Sequence, residues 1–225
     1  MKKHVLGLAL SLVSMLACSC AYAGWLDSPD NLQLQNVGPE MRLNGIPMDI
    51  RYFVTDQPAD QLLKQFQDAW ERSSYRTSVK KNKLGDWTVL NQSFGDEHRS
   101  VQIREAGPGK IEGFVALTSP KRMREPVLQL RLPTGLQSMS VVESSDSDRS
   151  SQQVTAVSRR SVDATASSLE TALRANGWKV QERRKTAAGT RLAADKGTRD
   201  FDAVLTPDDG GGAVVMMNTV TMSSR

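Results

Sequence analysis

Residues 48–70 read MDIRYFVTDQPADQLLKQFQDAW, and their spacing decides the fold. Met48, Ile50, Tyr52 and Val54 recur at every second position, the mark of a strand with one buried face. Asp56-Gln57-Pro58 then opens a helix, with Pro58 at an early position where a missing N–H costs little. Leu62, Leu63, Phe66 and Trp70 follow at helical spacing and form one apolar stripe. The same succession returns about 103 residues later, which places Phe66 and Leu169 at matching positions. There Val154 and Ala156 begin a weaker strand, Ser161 is the N-cap, and Val162, Ala166, Leu169 and Leu173 repeat the stripe. Asn176-Gly177 ends the second helix, since glycine tolerates the left-handed C-terminal conformation.

Each copy continues with short β segments divided by turn residues. In the first they are Tyr75 to Lys81, Trp87 to Gln92, Arg99 to Glu105 and Ile111 to Thr118; in the second, Trp178 to Lys185, Arg191 to Ala194, Asp200 to Thr206 and Ala213 to Thr221. Short turns favour antiparallel hairpins over crossovers. The expected fold is therefore α+β: two tandem copies of a helix packed on a curled antiparallel sheet, in β-α-β-β-β-β order. The expected boundaries are a signal peptide over 1–23, an N-terminal arm over 24–39, a first domain over 40–120, a linker or added strand over 121–137 and a second domain over 138–225. Within the connection, Val127, Leu128, Leu130 and Leu132 have the look of a strand, as do Met139, Val141 and Val142, while Ser144 to Ser151 is a polar loop or hairpin tip. The layout is similar in outline to the tandem helix-on-sheet modules of bacterial envelope assembly and secretion proteins, a likeness of architecture that assigns no residue a role.

The first 23 residues give the compartment. Lys2 and Lys3 form a basic start, Val5 to Ala17 is apolar, and Ala21-Tyr22-Ala23 offers a small-x-small cleavage site before Gly24. The apolar run is shorter than the roughly 20 residues of a spanning helix, so export to the periplasm or exterior is expected. The alternative is a lipoprotein anchored through Cys18, but Met15 stands where a lipobox prefers Leu. Cys18 and Cys20 are the only cysteines, so the mature chain has neither disulfide nor thiol chemistry and depends on apolar cores. Removing Lys2 and Lys3 from the 29 basic side chains leaves 27 against 25 acidic ones. That balance excludes the strong basic surplus of a nucleic-acid binder.

Catalytic and metal constellations are thin. His98 is the one histidine of the mature chain, lies among charged turn residues and reads as a surface group. Asp208-Asp209-Gly210-Gly211-Gly212 lacks the spacing of a calcium or phosphate loop and reads as a hairpin turn. No cofactor is expected, and Asp200 and Asp202, two apart on a strand, read as a solvated face. Three basic clusters remain: Lys80, Lys81 and Lys83; Lys121, Arg122 and Arg124; Arg183, Arg184 and Lys185. The first and third match between the copies, which fits either a duplicated site for an anionic lipid, glycan or acidic protein, or protection of exposed strand edges. Edge protection is the preferred reading. Trp87 and Trp178 read as core, with a groove beside the helix as the alternative, whereas Trp25 is expected to be exposed on the arm and available to a partner.

These features point to a non-enzymatic periplasmic interaction module, an accessory of an envelope, secretion or pilus assembly. Its expected partner is an envelope or secretion-system protein. A carrier of a small or lipid-like ligand held between helix and sheet is the alternative, and a carboxylate-based hydrolase a third.

Overall fold

The computed structural model describes residues 25–73 and 77–223. The leader, Cys18 and Tyr75 lie outside the described residues. The chain runs β1 (Gln35–Asn36), β2 (Met41–Leu43), β3 (Ile46–Thr55), α1 (Ala59–Ser73), β4 (Lys80–Leu84), β5 (Trp87–Phe94), β6 (Glu97–Gly107) and β7 (Lys110–Thr118). It continues with β8 (Leu136–Ser145), β9 (Arg149–Ser158), α2 (Val162–Ala175), β10 (Lys179–Thr186), β11 (Gly189–Lys196), β12 (Arg199–Pro207) and β13 (Ala213–Met222).

The α+β class of tandem helix-on-sheet repeats is overturned. All the strands join one antiparallel sheet in the order β10-β11-β12-β13-β9-β8-β2-β3-β7-β6-β5-β4, with β1 beside β3, and strand dominates the described residues over two α-helices. The expectation of two separate curled sheets failed at β2, which pairs with β3 on one side and β8 on the other. Pattern within a segment shows which residues share a strand face, but not which backbone edge that strand will meet.

Cross-strand partners share a sheet face, so the register fixes where the helices lie. Arg42 stands between Pro47 and Glu143, and Glu143 stands opposite Gln152. Two-residue steps from Pro47 reach Phe53, which is fully buried with the α1 stripe; the same steps from Gln152 reach Val154 and Ala156, buried under α2. Both helices therefore cover the same face. Along β3 this reverses the predicted orientation: Phe53 turns toward α1, while Val54 on the other face is 44% exposed. On that open face Tyr52, Phe114 and Trp87 touch ring to ring at centroid distances of 5.3 and 5.8 Å.

Two apolar clusters hold the layers. Leu62, Leu63, Phe66 and Trp70 bury against Phe53, Leu90, Val101, Ile103 and Val115; Ala166, Leu169 and Leu173 bury against Leu192, Phe201, Leu205 and Val215. Trp178 is buried in the second cluster, its ring 6.0 Å from that of Phe201. Ser161 caps α2 by accepting from the Ala164 N–H, and Gly177 takes the left-handed φ of 77° after it. Residues 127–132, expected as a strand, instead form a strap: Gln152 donates to the Val127 carbonyl and accepts from the Gln129 N–H, and Leu130 is buried in the second cluster. The Met139 to Val142 segment lies in β8, and Ser144 to Ser151 is a hairpin tip, the end of the β8–β9 hairpin with Ser144 opposite Ser151 and Ser145 opposite Ser150.

Phe66 and Leu169 are both fully buried. Phe66→Ala and Leu169→Ala are each expected to cost about 3 kcal/mol through the cavity left behind. Urea unfolding should show a lower midpoint at unchanged slope. A midpoint equal to that of the parent would mean that the helix stripe does not form the core.

Candidate functional site

The sheet is thinnest where its halves meet. β2 and β8 share two residue pairs, Arg42 with Glu143 and Leu43 with Val142. Asn44 extends the joint, its N–H donating to the Val141 carbonyl at 2.7 Å and its Oδ1 accepting from the Val141 N–H at 2.8 Å. Asn44-Gly45 is the two-residue turn between β2 and β3, with φ of 50° and 78°, the left-handed pair that a tight hairpin requires.

Beside this joint, on the helix-covered face, lies a cleft of about 740 Å³. Arg42, Arg122 and Arg124 share its lining with Glu40, Asp49, Glu97 and Glu143. The connection after β7 supplies two of the arginines: a 3-10 turn at Pro120–Arg122 follows Ser119, whose N–H donates to the Pro47 carbonyl at 3.0 Å and whose Oγ donates to Glu97 at 2.7 Å. Arg42 Nη1 donates to the carbonyls of Gly45 at 2.9 Å and Arg122 at 3.3 Å, and the Arg124 N–H donates to Gly45 at 3.2 Å. The Gly45 carbonyl thus pins residues 122–124, where the strap begins, to the turn.

The charges in the cleft are unevenly matched. Arg124 Nη2 reaches Glu143 Oε1 at 3.4 Å, while the buried Glu143 Oε2 has no hydrogen-bond partner among the described residues. Arg122 makes no ion pair among them, whereas Lys121 pairs with Asp96. A carboxylate oxygen left unsatisfied in a buried place calls for an N–H donor, and the exposed Arg122 guanidinium, without an ion pair among the described residues, is free to bind a carboxylate or carbonyl. One polar, peptide-like segment carries both.

The basic clusters are not brought together. Lys80, Lys81 and Lys83 lie on β4 and Arg183, Arg184 and Lys185 on β10, the strands at the two ends of the sheet order, while Lys121, Arg122 and Arg124 lie at the joint. The two edges also differ electrically. Arg183 pairs with Glu170 at 3.2 Å, Lys185 with Asp163 at 2.7 Å and Arg184 with Glu182 at 3.0 Å. Hydrogen bonds from Arg174 and then Arg183 hold the Glu170 carboxyl below its usual range, and Lys185 does the same for Asp163. Lys80, Lys81 and Lys83 have no ion pair among the described residues.

Trp25, expected to be exposed, is half-buried against the first cluster with the Arg51 guanidinium 4.2 Å from its ring centre. The arm is seated on the protein by Trp70 Nε1, which donates to the Leu26 carbonyl at 2.8 Å, and by Arg99, which pairs with Asp27 at 2.8 Å. His98 is exposed on β6, with Nδ1 3.2 Å from Ser93 Oγ. Among the described residues no cluster of three or more His, Cys, Asp or Glu is placed to hold a metal, and no helix is long and apolar enough to cross a membrane. Comparison with models of protein families, with curated proteins and with solved structures finds no match.

Sequence reasoning found Arg122 and Arg124 but missed Arg42 and Glu143. One signal was present: Asn44-Gly45 between short apolar runs is a strong hairpin dipeptide, and it would have placed Arg42 on a strand beside β3.

Proposed function

We propose that the protein is an exported, non-enzymatic interaction module of the cell envelope, which grips an extended polar segment of a partner protein in the cleft beside the β2–β8 joint. The observation that carries this reading is the pairing, in one cleft of about 740 Å³, of an unpartnered buried carboxylate oxygen on Glu143 with an unpaired guanidinium on Arg122. A peptide backbone presents N–H and C=O groups at short, regular intervals, so it meets both demands at once. The mixed-charge lining disfavours an apolar lipid, and Trp178 lies in packed core rather than beside a groove. Glu143 fixes the partner's direction by turning its carboxylate toward the segment and accepting from it, and Arg122 anchors it through charge-assisted bonds.

The test is photo-crosslinking in intact cells from a benzoylphenylalanine placed at Gln129 or Ser151, both in the cleft lining. A discrete adduct is expected that falls about tenfold in the Arg122→Glu variant, the scale of one lost charge-assisted contact turned repulsive. Equal labelling in that variant, or no protein adduct from either position, would overturn the reading.

A further inference from the structure

We propose that β4 is a docking edge for an extended acidic segment, which adds to the sheet as one more antiparallel strand. This rests on the interaction role proposed above but uses a different surface, at the far end of the sheet from β10.

The two terminal strands are treated differently by the fold. β10 carries a register break between Val180 and Glu182, and its cations are tied to carboxylates on α2 and on its own strand. A bulge interrupts the ladder that an incoming strand must complete, and cations already tied to carboxylates have no charge to offer it, whereas unpaired edge lysines repel a like edge yet attract an acidic one. β4 has neither a bulge nor tied cations among the described residues. It pairs with β5 in unbroken register from Lys80↔Asn91 to Leu84↔Trp87, and all five of its residues are exposed. Its outer N–H and C=O groups have no strand partner among the described residues. α1 leaves its lysines without an ion pair among the described residues: Asp60 and Gln67 stand where α2 has Asp163 and Glu170, and Gln67 bonds Glu71 instead.

Side chains on the edge set what would fit. Lys81 and Lys83 pair with Leu90 and Thr88 and so point to the helix side, while Lys80, Asn82 and Leu84 point to the open side. Leu84, 69% exposed beside Trp87, is an apolar foothold at one end. An antiparallel occupant would place an apolar residue against Leu84, acids against Lys83, Lys81 and Lys80, and a neutral residue against Asn82.

The probe is the labelled peptide Thr-Val-Glu-Thr-Glu-Glu-Thr, titrated into the full mature protein by fluorescence anisotropy, with hydrogen exchange of the β4 amides as the structural readout. Saturable binding that slows exchange in β4 and not in β10 is expected, with affinity falling about tenfold in Lys81→Glu/Lys83→Glu. Peptide N-methylated at alternate residues should lose binding, because it cannot complete the ladder. Undiminished binding of that peptide, or protection absent from β4, would overturn the proposal. So would a Lys81→Gln/Lys83→Gln protein that self-associates while binding the peptide unchanged, since the lysines would then only guard the edge. The Arg122→Glu variant should bind the peptide normally; loss there, with Lys81→Glu/Lys83→Glu unaffected, would assign the peptide to the cleft and refute the edge.

Discussion

Replacing Trp70 by Ala should lower stability by about 5 kcal/mol, the upper end for an aromatic truncation, because the indole does three things at once. It is fully buried and meets Phe66 edge-on at 5.7 Å. Its Nε1 donates to the Leu26 carbonyl at 2.8 Å, so its loss orphans the turn that begins the arm. Its ring also lies 4.8 Å from the Arg99 guanidinium. Arg99 is only 2% exposed, bonded by Nε to Gln92 Oε1 at 2.8 Å, by Nη1 to Asp27 at 2.8 Å, and by Nη2 to Ser73 Oγ at 2.8 Å and the Trp70 carbonyl at 3.1 Å. Burial pulls the Arg99 pKa down and the Asp27 carboxylate pushes it back, so the charge stays and needs its counter-ion. Asp27→Asn should therefore cost about 3 kcal/mol by itself. Leu26 and Asp27 hold left-handed φ of 55° and 56°, a strain sustained because the indole and the guanidinium fix both residues. In a double-mutant cycle the Trp70→Ala and Asp27→Asn costs should sum to more than the double variant loses, since either change releases the arm. Strict additivity in urea midpoints would show that the arm is not held by this network.

The apolar stripes were the most legible part of the chain. Leu62, Phe66 and Trp70, and Ala166, Leu169 and Leu173, are buried as a 3.6-residue period requires, and Ser161 caps where its type and place suggest. Turn dipeptides placed most hairpins. The strand face of β3 was misread because Ile50, Tyr52 and Val54 are apolar on the open side while Arg51 and Asp49 take the helix side; period two marks two faces without naming the inner one. The run at residues 127–132 was read as strand for the same reason that a strap works: alternate leucines bury on one side whether or not a ladder forms. The cleft was least legible. Arg42 and Glu143 come together through two residue pairs between segments about 100 residues apart, and no local pattern encodes that contact. Arg99 was invisible for a related reason: an arginine on a strand reads as exposed until an arm from the chain's start supplies its carboxylate.

Gly45→Ala should be the most damaging small substitution, at about 4 kcal/mol, and it should empty the cleft as well as weaken the fold. An added Cβ would lie 1.6 Å from the Arg124 carbonyl oxygen and 2.8 Å from its carbon, an overlap with backbone that no rotamer change relieves. The left-handed φ of 78° adds strain of about 1 kcal/mol for any residue with a Cβ. Either the turn between β2 and β3 shifts or the 122–124 strap lifts away; both break the bonds from the Arg42 guanidinium and the Arg124 N–H to the Gly45 carbonyl. Arg122 and Arg124 would then leave the cleft. Gly85→Ala separates the two costs, because Gly85 also has positive φ, 58°, yet its Cβ would meet nothing within 4 Å. That variant should lose about 1 kcal/mol and keep the crosslinked adduct, while Gly45→Ala should melt roughly 8 to 16 °C lower and lose the adduct below its melting point. Equal melting shifts for the two glycine variants would show that the strap is not seated on the turn, and the joint between the halves would then have to be held by the β2–β8 pairs without it.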